Sequence, residues 1–218
     1  MKLLLTSAGL TNKSIINALL ELTQKPFDKL NLLFIPTAAN IEVWDKGWMI
    51  DNLYQCQKIG FNEVDIIDIA AVSKEIWLPR FEKADILMFW WWNSFYLLNK
   101  IEKSWLKEML PEMLKSKVFV WISAWSMIAC ESMDLSTSKR LYDEDPNGNE
   151  TDEWMWFTDI LVRPHLNSPY FPNLNLENLE ELSKEFPETF YAIDDDSAIK
   201  VDGDKIEVVS EGVWRKFN

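Results

Sequence analysis

Hydrophobic and polar positions along this chain fall into two kinds of segment that alternate. Five short runs are almost continuously apolar: KLLLTS (2–7), NLLFIPT (31–37), EVDIIDI (63–69), DILMFW (85–90) and KVFVWIS (117–123). Runs of this length without a polar face predict strands buried on both sides. Between them the period lengthens. Ile15, Ile16, Leu19 and Leu20 share one face of a predicted helix, and 45–59 reads as a second helix closed by Gly60. A short helix is expected near 73–84. A longer helical pattern carries Leu98, Ile101, Trp105, Leu106 and Met109, with Pro111 expected to break or kink it. Another helix should run from the fifth strand through Met127 and Cys130. Strands alternating with helices predict a three-layer α/β/α sandwich around a mostly parallel central sheet.

After residue 138 the pattern changes. An acidic loop (142–153) precedes an apolar stretch at 154–163, and a helix is expected over 175–186. TFYAI reads as a strand, and SAIKVDGDKIEVV reads as a hairpin turning at Asp202-Gly203. No Pro/Gly/Ser-rich linker or internal repeat interrupts the chain, so residues 1–218 are expected to form a single domain.

Charge narrows the function. A net charge of −13 argues against nucleic acid or an anionic membrane as partner. No apolar run reaches the roughly 18 residues of a spanning helix, and MKLLLTSAGL turns polar too soon for a signal peptide. Cys56 and Cys130 are isolated, without a disulfide framework. A cytoplasmic protein is expected, of undetermined oligomeric state.

Composition adds one anomaly. Twelve tryptophans stand against six glycines, an inversion of ordinary usage of about 7% glycine and roughly 1% tryptophan. Gly148 in PNGN and Gly203 in VDGD occupy plain turn contexts. Trp90, Trp91, Trp92, Trp121, Trp125, Trp154 and Trp156 mostly follow predicted strands, where glycine is ordinarily found; Trp44 and Trp105 are weaker cases of the same kind.

Ligands of open parallel sheets sit beyond the carboxyl ends of the strands. Ser123, Trp90–Trp92 and Asn93 fall at such ends. Serine needs a base to act as a nucleophile near neutral pH, and His165, in RPHLNSP, is the only histidine. A lone histidine is more often structural. Here it is joined by the run Asp194-Asp195-Asp196 after a predicted strand, so all three parts of a Ser–His–Asp site are available. Their order along the chain is no objection, because geometry defines such a triad.

On these residues the chain resembles the peptidase E (aspartyl dipeptidase) family of serine peptidases, which share the class I glutamine amidotransferase-like fold. LLFIPTAAN is similar to the family's second strand and following loop. WWWNSFYLL stands where the family has a GGGN-type loop, WISAWS where it has G-x-S-A-G-S, and RPHL carries the family histidine; AIDDDSAIKV resembles the segment that supplies the acidic residue, usually glutamate there. The resemblance implies Ser123 as nucleophile and His165 as base. It implies Asp195 as the group orienting the histidine, with Asp194 or Asp196 as competitors. It also implies an oxyanion hole from the Ala124 and Trp91 backbone amides and a substrate-binding role for Asn93. The implied activity is hydrolysis of short peptides with an acidic N-terminal residue, without metal or cofactor.

Tryptophan at motif glycine positions departs from that pattern. A nucleophile elbow wants small residues two before and two after the serine, where this chain has Trp121 and Trp125. Impaired activity and a cavity filled with indole are therefore expected. The alternative is a non-catalytic binding or structural protein on the same scaffold. Asp143, Asp145, Asn147 and Gly148 match part of a calcium loop, but Trp154 takes the place of its glutamate, so a solvated acidic loop is expected. Three consecutive tryptophans cannot all face one way as a sugar or cation platform. One histidine and two scattered cysteines serve zinc poorly. Glutamine amidotransfer would want cysteine at 123.

Overall fold

A computed structural model describes residues 1–41, 43–90, 93–123, 140–142, 157–185 and 187–218. The apolar runs become strands β1 (Lys2–Thr6), β2 (Asn31–Ile35), β3 (Glu63–Ile66), β4 (Ile86–Phe89) and β5 (Val118–Ile122). Strand β6 (Leu161–Arg163) follows, then β7 (Phe190–Ile193), β8 (Ser197–Asp202), β9 (Lys205–Ser210) and β10 (Trp214–Phe217). The large sheet has the order β3-β2-β4-β5-β1-β8-β9. Its first five strands pair in parallel, while β8 adds antiparallel to β1 and β9 antiparallel to β8. A second sheet has the order β10-β7-β6.

Both faces of the large sheet are covered. Helices α1 (Lys13–Thr23), α2 (Thr37–Asn40) and α3 (Gly47–Ile59) follow β1 and β2. From α1, Ile15, Ala18, Leu19 and Leu22 join Leu4, Phe34, Met88 and Val120 in one apolar layer. Helices α4 (Lys74–Lys83), α5 (Ser94–Lys103), α6 (Leu106–Met113) and α7 (Leu176–Glu185) supply the other. There Trp77, Phe81, Ile101, Leu110 and Leu179 pack with Leu5, Leu33, Phe89 and Phe119. Strand alternation assigns the layers: in β5, Phe119 and Trp121 face one and Val118, Val120 and Ile122 the other. The architecture is mixed α/β, with a mostly parallel central sheet flanked by helices. Among the described residues no helix is long and apolar enough to cross a membrane.

Three details differ from the sequence expectations. The helical pattern through Leu98 and Met109 is two helices, and the break is at Trp105, whose φ is 62°; Pro111 lies inside α6. A left-handed residue ends the hydrogen-bond ladder outright. Strand β10 went unpredicted because WRKF buries only Phe217. Strand β6 is the three-residue end of the apolar stretch at 154–163. The helix expected through Met127 and Cys130, the calcium-like pattern and nearly all of the acidic loop lie outside the described residues.

Candidate active site

The parallel strands deliver their carboxyl ends to one edge. β1 and β5 pair with Thr6 opposite Ile122, so the next residues, Ser7 and Ser123, emerge side by side. The Ser123 amide donates to the Thr6 carbonyl at 2.9 Å, and the Thr6 hydroxyl donates to the Trp121 carbonyl at 3.0 Å. Ser123 is buried and left-handed, with φ of 58°. This conformation costs a non-glycine residue roughly 1–2 kcal/mol and is that of a residue presented on a sharp strand-end turn. Nearby, Gly9 has φ of 96°, which strains any other residue, and a Cβ there would lie 2.0 Å from the Asn52 side-chain oxygen, so Asn52 would have to shift as well.

His165 follows β6 on a loop held to β7 by the Leu166 amide, which donates to the Ile193 carbonyl at 3.0 Å. Its φ is 65°, and its ring stacks on Phe171 with centroids 4.6 Å apart. Nε2 lies 2.5 Å from Ser123 Oγ, and Nδ1 lies 2.6 Å from Asp195 Oδ1. A carboxylate only accepts, so the proton belongs on Nδ1, and Nε2 offers its lone pair to the serine hydroxyl. Asp194 and Asp196 do other work. Asp194 accepts from Ser197 Oγ and from the Asp196 and Val213 amides, and the Asp196 carbonyl accepts from Asn12.

A residue missed in the sequence joins this group. Ser7 Oγ donates to Asp195 Oδ1 at 2.7 Å and accepts from the His165 amide at 2.9 Å. It clamps carboxylate and histidine backbone together. Its position at a strand end beside Ser123 was the available signal. Burial pushes the Asp195 carboxyl up, but the hydrogen bond from His165, the charge of that ring and the hydrogen bond from Ser7 outweigh it, holding the group below the usual carboxylate range. A carboxyl lowered in the folded state stabilises the protein above its unfolded value near ~3.9, and that contribution disappears as pH falls through the folded value. Asp195→Asn should therefore lower the melting temperature at neutral pH, with the gap to the parent closing below about pH 4. A gap that stays constant down to pH 2 would contradict this linkage. The side chain is 44% exposed, so the effect should be modest.

The model of peptidase family S51 matches residues 3–209. The chain belongs to peptidase family S51. Its fold is similar to that of a protein described as a peptidase E from Listeria monocytogenes EGD-e, with a TM-score of 0.79 at 20% identity, covering 97% of this chain and 98% of that one. A peptidase from an acI-B1 Actinobacterium superposes with a TM-score of 0.72 at 17% identity, over 98% and 88% of the two chains. No curated protein matches the chain. Family membership makes this a serine peptidase scaffold.

In this S51 chain a cavity of about 320 Å³ opens beside Ser123, His165 and Asp195. Trp48, Trp90 and Tyr170 contribute to its wall. The indole expected to fill it is in part elsewhere: Trp121 is 0% exposed and packs against Phe89, Phe119 and Phe157 in the layer on the far side of β5. The alternation that sends Ile122 to the cavity sends Trp121 away from it. Asn93 does not line the cavity; its side-chain oxygen caps α5 by accepting from the Tyr96 amide at 2.8 Å. Ala124 and Trp91, expected to form an oxyanion hole, lie outside the described residues, as do Trp92, Trp125, Trp154 and Trp156. Cys56 is no rival nucleophile, because burial pushes its thiol up to about 12. Among the described residues, no group of three or more His, Cys, Asp and Glu could hold a metal.

Proposed function

We propose that the protein hydrolyses short peptides through Ser123, His165 and Asp195. The observation that carries this reading is the hydrogen-bonded line from Ser123 Oγ through the His165 ring to Asp195 Oδ1, at 2.5 and 2.6 Å, on the wall of a cavity. Ser123 Oγ attacks the peptide carbonyl carbon as Nε2 takes its proton. Asp195 stabilises the resulting imidazolium and fixes the ring. The C–N bond then breaks, with the proton passing from Nε2 to the departing amine and an ester left on Ser123. Water, deprotonated by Nε2, hydrolyses that ester and restores the serine. Expected oxyanion donors are the amides of Ala124 and Trp91, as the family pattern implies.

A fluorophosphonate probe tests the reading. It should label Ser123 covalently in the parent chain and fail with His165→Ala, and the parent should release free amino acids from dipeptides. No labelling of a folded parent, together with no hydrolysis, would favour a non-catalytic scaffold.

A further inference from the structure

The family likeness implies substrates with an acidic N-terminal residue. A carboxylate is held most strongly by charge-assisted hydrogen bonds from a cation, and the chemistry of this cavity is the opposite. Among the described residues that line it there is no lysine or arginine, and the carboxylates present are Asp51 and Asp195. Asp195 is engaged by His165 and Ser7, which leaves exposed Asp51 as the other charge on the wall among the described residues.

Cations close by in sequence are committed elsewhere. Lys46 gives its ammonium to the Ala39 carbonyl at 2.6 Å, and Arg163 lies over the Phe190 ring in the core. The residues outside the description contribute one cation by sequence, Lys139, against nine acids, six of them in the run 143–153. Asp51 shares the cavity wall with Trp48 and Tyr170, whose rings meet edge to face at 4.9 Å. A carboxylate beside aromatic faces suits a positively charged side chain, through charge and cation–π attraction together.

We infer that the cavity selects peptides with a cationic N-terminal residue, lysine or arginine, and rejects acidic ones. This rests on the peptidase reading for its turnover but not for its binding. Lys-Leu, Leu-Leu and Asp-Leu should be titrated into Ser123→Ala by calorimetry at low salt and compared as substrates of the parent. Lys-Leu is expected to bind at least tenfold more tightly than Asp-Leu. Asp51→Asn should shrink that ratio several-fold, as should raised salt. Equal binding, tighter Asp-Leu, or a ratio untouched by Asp51→Asn would overturn the proposal. Binding preference without turnover by the parent would overturn the peptidase reading alone.

A second inference comes from the tryptophans themselves. Trp105 is left-handed, with φ of 62°, between α5 and α6, and is 67% exposed. Helix ends of this shape are glycine's place, and so much exposed indole has little packing to recommend it. With twelve tryptophans and six glycines in the chain, we infer that a single codon has been rendered as tryptophan where the source cell reads glycine. UGA fits, since it stands for tryptophan in some genetic codes and for glycine in others. The gene should then carry UGA at position 105 and at 90–92, 121 and 125, and UGG at Trp48 and Trp77. UGG at all of these would overturn the inference. Trp105→Gly should also raise the melting temperature by several degrees, and a loss of stability would count against it.

Discussion

Ser123→Ala should abolish peptide hydrolysis, by about 10⁴-fold or more in kcat/KM, and should eliminate fluorophosphonate labelling. The removed oxygen is the atom 2.5 Å from His165 Nε2, and no other nucleophile among the described residues approaches that nitrogen so closely. A folded control is available in the backbone. Alanine keeps the left-handed strain at φ of 58°, whereas Ser123→Gly should relieve it. The glycine variant should be equally inactive yet more stable than the alanine variant, by up to about 1 kcal/mol. Stability gained where activity is lost is the signature of a conformation held for function. Residual turnover within a hundredfold of the parent would show that Ser123 is not the nucleophile.

The parts of this molecule legible in the sequence are those where one physical rule dominates. Four of the five parallel strands could be read because a strand buried on both faces must be apolar throughout, as LLL, LLFI, ILMF and VFVWI are; the edge strand β3, EVDI, is only partly buried. Ser123 and His165 could be read because one followed such a strand and the other was the only histidine. The rest depended on effects without a residue-type signature. Which of three consecutive aspartates turns toward His165 is decided by the tight turn before β8, where Asp194 is consumed by backbone amides. Ser7 is a small polar residue like many others until β1 is paired with β5. Trp121 was expected to obstruct the cavity because it lies two residues from the serine. Strand alternation instead sends its ring into the opposite layer, where it is fully buried against three phenylalanines.

Asp195→Asn should lower kcat by about 10⁴-fold with much less change in KM. Asp195 Oδ1 accepts from both His165 Nδ1 and the Ser7 hydroxyl. An asparagine can turn its oxygen to the same place and preserve those two bonds, but it is neutral and leaves the imidazolium of the transition state without its counter-charge. If it turns its amide nitrogen there instead, it donates to Nδ1 and drives the ring proton onto Nε2. The ring can then no longer accept from Ser123. One orientation weakens the base and the other removes it, and neither empties the cavity, which is why turnover should fall further than binding. Glutamate, the residue usual in the family, is one methylene longer and must push against the Ser7 clamp, so Asp195→Glu should retain more activity than the asparagine variant. Ser7→Gly should then improve Asp195→Glu by removing that clamp. If Asp195→Asn keeps kcat within tenfold of the parent, the carboxylate is a bystander and His165 must be oriented by its backbone and by Phe171 alone.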